Sequence, residues 1–64
     1  MAKYDVDVQL TGQDGNAFAI IGAVSRAIRK VAGPEAADEW CKEAMSSESY
    51  DALLNLCCET VNVH

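Results

Sequence analysis

Four side chains of this 64-residue sequence belong to the types that bind zinc through sulfur and imidazole: Cys41, Cys57, Cys58 and His64. Zinc ligands ordinarily come as C-x₂₋₄-C pairs, a spacing that lets two thiolates reach one ion, and an adjacent pair such as Cys57-Cys58 seldom does so. The sequence therefore predicts no metal centre, and no cofactor motif is present. Cysteine nucleophilic chemistry needs an imidazole base beside the thiol, and the single histidine, His64, is terminal. Cys57 is expected in the core as a small hydrophobe, with Cys58 at the edge of the same apolar arc. Three cysteines, two of them adjacent, do not make a disulfide framework and point to reduced thiols in a cytosol. No catalytic residue is predicted, and the chain reads as a non-enzyme.

The charged groups offer binding chemistry instead. Arg26, Arg29 and Lys30 form a compact basic patch in a chain with ten acidic and five basic side chains and a net charge of −5. Such a patch reads first as a solvated helix end that suits the dipole, with phosphate or an acidic protein surface as the binding alternatives. Three cations contact few phosphates, however, and no basic arm or aromatic stacking platform accompanies them. Nucleic-acid binding is thus the alternative reading, disfavoured by the overall charge. The ten carboxylates are scattered and make no stripe that would imitate a phosphate ladder. Asp5, Asp7, Asn62 and His64 are expected to share the outer face of a sheet. Their oxygens could face a hard cation, but a solvated face that discourages stacking explains them. The block Gly12-Gln13-Asp14-Gly15-Asn16 stands where anion-binding loops stand, yet it lacks the P-loop Lys-Ser/Thr ending and the three-glycine fingerprint. Trp40 reads as a core anchor rather than an interface contact.

The elements that must position these groups can be read from periodicity. Tyr4, Val6, Val8 and Leu10 alternate with Asp5, Asp7 and Gln9, predicting a half-buried strand over 4–10. Turn formers at 11–16 break it, and Asp14 or Asn16 can cap the next helix. Residues 17–32 predict a helix with an apolar arc about 160° wide running from Ile20 through Val31, Val24, Ile28 and Ile21 to Phe18, broad enough to touch two layers. Its basic end suits the helix dipole, and Gly33-Pro34 stops it. A second helix over 35–46 places Ala36, Trp40, Ala44, Ala37, Cys41 and Met45 on one side. A third, over 48–58, sets Tyr50, Leu53, Leu54 and Cys57 at i, i+3, i+4 and i+7, with Ser47 or Ser49 as its cap. Thr60–Val63 alternates again as a second strand. A hairpin at Asp14-Gly15 joining the first strand to 17–21 is the competing reading, opposed by the helical pattern through Ala32.

The segment Leu10-Thr11-Gly12-Gln13-Asp14-Gly15-Asn16-Ala17-Phe18, with Tyr50-Asp51-Ala52-Leu53-Leu54 downstream and a short valine-rich end, resembles a group of very small uncharacterised bacterial and phage proteins. The resemblance spans most of the chain and implies a mobile-element or accessory role. It brings no activity, cofactor or site residue with it.

These observations predict one α+β domain over 1–64, in the order β-α-α-α-β, with the helices on one face of a two-stranded sheet. A chain this small gains roughly 90 kcal/mol from apolar burial against about 95 for ordering. A partner that covers more apolar surface would help, and two strands leave free edges. The expected function is a non-enzymatic cytosolic protein–protein interaction module, self-associating as a homodimer through an edge or the first helix. Its expected surface comprises Ile20, Arg26, Arg29 and Lys30. No targeting segment opens the sequence, and the longest apolar or Gly run, Ala17–Val24, is far short of the ~20 residues that span a bilayer.

Overall fold

Exposed and at least partly buried side chains alternate without a break from Lys3 to Leu10 in the computed structural model, which describes residues 2–10 and 17–64. Within that stretch β1 is Asp7–Val8, followed by α1 (Ala17–Ala32), α2 (Pro34–Met45), α3 (Tyr50–Thr60) and β2 (Asn62–Val63). The order is β-α-α-α-β, an α+β arrangement of three helices against a two-stranded sheet. The strands run parallel, with Asp7 opposite Asn62 and Val8 opposite Val63. Parallel neighbours need a long crossover, and the three helices provide it.

The predicted strand over 4–10 has the right face but a shorter ladder. Val6 N–H donates to the Tyr4 carbonyl at 2.9 Å, closing a three-residue turn around Asp5 that interrupts regular pairing. Before that turn, Lys3 and Tyr4 donate to the carbonyls of Glu59 and Thr60 at 2.9 and 2.8 Å. They thereby satisfy acceptors that the end of α3 leaves open. The second strand correspondingly begins at Asn62 instead of Thr60, because Thr60 is the last residue of α3 and its hydroxyl donates to the Leu56 carbonyl. α3 itself lies two residues later than the predicted 48–58. Ser49 is its cap, accepting from Ala52 N–H at 3.1 Å, so of the two predicted serines Ser49 serves and Ser47 does not.

α1 has the predicted bounds, which excludes the hairpin reading of 17–21. α2 begins one residue before the predicted 35, with Pro34 in its first turn, where a missing N–H costs nothing. Gly33 turns the chain between α1 and α2 at φ 93°, ψ 171°, a region essentially reserved for glycine. The predicted caps Asp14 and Asn16 and the 12–16 loop lie outside the described residues.

The core gathers Val8, Ile20, Ile21, Val24, Ile28, Ala37, Trp40, Ala44, Leu53, Cys57 and Val61. α1 supplies its centre, with Val24 and Ile28 fully covered, and it packs most extensively on α2. The predicted arc of α1 is too wide at both ends: Phe18 and Val31, in its first and last turns, are 69% and 54% exposed. Met45, placed on the apolar side of α2, is also mostly exposed in that helix's last turn.

Candidate functional site

Trp40 lies in the core as predicted, and its indole N–H donates to Thr60 Oγ1 at 2.9 Å. Thr60 is the only buried polar residue among those described, and it passes the bond on to the Leu56 carbonyl at 2.6 Å. This chain ties α2 to the end of α3 and leaves no buried side-chain polar atom unpaired among the described residues. Composition gave no sign of Thr60's role, since a threonine before Val61 reads as strand.

The thiols are dispersed rather than gathered. Cys57 is fully buried, Cys58 is exposed and Cys41 donates to Ser25 Oγ at 3.1 Å across α1 and α2. Burial pushes the Cys57 thiol from 9.0 up to about 11, with the neighbouring Cys58 adding to the shift and a backbone hydrogen bond opposing it. A thiol so held stays protonated and is a poor nucleophile. Among the described residues no three His, Cys, Asp or Glu side chains form a metal-holding group.

Asp5, Asp7, Asn62 and His64 do share one face. Asn62 Nδ2 donates to Asp5 Oδ1 at 3.1 Å, and His64 Nε2 lies 3.1 Å from Asp7 Oδ1. These exposed cross-strand pairs hold the strands in register and are worth only tenths of a kcal/mol each.

The basic residues and β1 meet in a groove. Arg26, Arg29 and Lys30 are exposed on α1 and, with Ala27, face Val6 and Asp7 across a groove of about 550 Å³. It continues along Asp7, Val8 and Gln9 beside Ala19, Ala23 and Ala27. No described carboxylate lies within ion-pair distance of these three cations. Ile20, expected on the same surface, is 2% exposed and belongs to the core. The reason is geometric: Ile20, Val24 and Ile28 repeat every four residues along the buried side of α1, whereas Arg26, Arg29 and Lys30 lie off that line.

The floor of the groove is a strand edge. Asn62 N–H donates to the Val6 carbonyl, His64 N–H to the Val8 carbonyl, and Leu10 N–H to the His64 carbonyl, all at 2.8–2.9 Å. Even-numbered residues of β1 and its flanks therefore turn their backbone toward β2. By the alternation of a strand, the N–H and C=O groups of Asp7 and Gln9 turn the other way. Among the described residues β1 has one strand neighbour, β2, and none of them bonds those four groups. Alanines at 19, 23 and 27 leave the edge open where larger side chains would close it. Sequence reasoning foresaw free edges but not that β1's edge and the basic patch would coincide, because this depends on where α1 crosses the sheet.

No protein-family model, curated protein or solved structure matches this chain. A second cleft, lined by Phe18, Ile21, Met45, Tyr50 and Leu53 where α1 begins and α2 gives way to α3, is apolar and partly exposed. No helix among the described residues is long and apolar enough to cross a membrane.

Proposed function

We propose that the protein is a non-enzymatic association module of the reducing cytosol that binds another protein by adding one of its extended segments to the free edge of β1. The observation that carries this is the row of backbone groups on Asp7 and Gln9 that no described residue pairs, along the groove beside α1. Strand addition gains affinity from main-chain hydrogen bonds and specificity from side-chain pockets alongside. Three free thiols, one of them exposed, favour a reducing compartment. The resemblance to small phage and bacterial proteins favours an accessory role.

Self-association is a second form of the same reading, favoured by the exposed apolar side chains Met45 and Tyr50. Light scattering at tens of micromolar tests it, and a mass near 6.9 kDa counts against a dimer. Nucleic-acid binding through Arg26, Arg29 and Lys30 is weaker, since three cations contact few phosphates and the chain as a whole is acidic.

The test is capture from lysate of the source organism with tagged wild type and with Gln9→Pro, each with and without nuclease. The Gln9 N–H has no partner among the described residues, so proline there removes only an edge donor and blocks the approach of another strand. A stoichiometric protein held by the wild type, resistant to nuclease and lost with Gln9→Pro, is expected. A captured set unchanged by Gln9→Pro would overturn the proposal.

A further inference from the structure

We infer that the segment received by the β1 edge is an extended acidic one, with carboxylates at alternate positions facing Arg26, Arg29 and Lys30. The inference rests on the association reading and adds the chemistry of the partner. Three of the chain's five cations line this groove against one carboxylate, Asp7, and none of the three is paired with a described carboxylate. The spacing also fits. At 1.5 Å per residue Arg26 and Lys30 stand about 6 Å apart along α1, close to the roughly 6.6 Å between alternate residues of an extended strand. A segment paired with Asp7 and Gln9 and continuing past Val6 would thus present alternate side chains to Arg26 and Lys30. Those contacts would be charge-assisted, and shorter and stronger than neutral ones.

The same charges argue against a second copy on this edge. A two-fold pairing of β1 with itself brings both α1 helices over one seam on the same face, crowding two sets of Arg26, Arg29 and Lys30 together. Nucleic acid could use the cations and an open amide, but it has no regular alternation of N–H and C=O groups to match the edge, which suits a peptide ladder.

The experiment titrates the full-length chain into a fluorescein-labelled octapeptide of alternating Glu and Thr, acetylated and amidated, with anisotropy as the readout. Binding is expected, weakened tenfold or more by Arg26→Ala/Arg29→Ala/Lys30→Ala, by Gln9→Pro, and by raising salt from tens to hundreds of millimolar. The peptide with Lys in place of Glu should not bind. N-methylation of one alternate set of peptide amides should abolish binding and of the other set should leave it, because alternate amides of a strand face opposite sides. The peptide variants need no change to the protein, so a misfolded mutant cannot obscure the result. Equal binding by both N-methylated sets would overturn the inference, as would binding of the Lys peptide. Tighter binding of oligo-dT, lost with the three cations, would overturn it in favour of nucleic acid. A dimer broken by Gln9→Pro and untouched by the peptide would overturn it in favour of a second copy. If no acidic peptide binds at millimolar concentration while Gln9→Pro still empties the capture, the acidic chemistry fails and the association reading survives.

Discussion

Thr60 and Cys57 show how single buried groups stabilise so small a core. Thr60→Val keeps the shape but leaves the Trp40 N–H buried without an acceptor, and such a group costs about 1–3 kcal/mol. Urea unfolding should show that loss, whereas a surface substitution such as Asn55→Thr should stay within about 0.5 kcal/mol. Cys57 carries a pH dependence. Its thiol is raised from 9.0 to about 11 by burial first and by Cys58 second, so above pH 9 the unfolded chain releases the proton while the folded chain keeps it. Stability is therefore full below pH 9 and falls as pH rises toward 11, by roughly 2–3 kcal/mol. In Cys57→Val that part of the fall should vanish, as urea midpoints across the range would reveal. At this scale the sequence was informative about Trp40 and Cys57, which sit on clear apolar arcs. It was silent about Thr60, whose place depends on a partner twenty residues away.

The helices were legible because each has an apolar period, and two of their boundaries carry local signals. Gly33-Pro34 ended one and began the next, and Ser49 capped the third. Two glycines test this at the same chemistry with opposite signs. A Cβ added at Gly22 meets nothing within 4 Å in ordinary helix, while Gly33 holds φ 93°. Gly22→Ala should stabilise by about 0.5–1 kcal/mol through lower chain entropy. Gly33→Ala should destabilise by about 1 kcal/mol or more through strain, and thermal melts of both would check the pair. The strands were legible by face but not by direction or length. Alternation tells which side chains turn inward, yet the parallel register depends on how three helices return the chain. The turn at Asp5 shortens β1 for a reason that no hydropathy pattern carries.

At the scale of the molecule the decisive feature is coincidence: a strand edge that no described residue pairs and three of the five cations lie in one groove. The sequence contained both parts, with Arg26, Arg29 and Lys30 correctly exposed and Ile20 misplaced on the surface. Their meeting depends on packing α1 beside β1, with Ala19, Ala23 and Ala27 along the groove. Edges of this kind invite other strands unless something covers them, and the outward Asp5 and Asp7 restrict which strands can come. Backbone amide exchange by NMR is the sharpest test of an open β1 edge. In the free protein the Asp7 and Gln9 amides should exchange rapidly with deuterium while Val8 and Leu10 are protected, and with saturating acidic peptide Asp7 and Gln9 should become protected too. Slow exchange of Asp7 and Gln9 in the free monomer, or no change with a bound partner, would contradict both the open edge and its use as a docking strand.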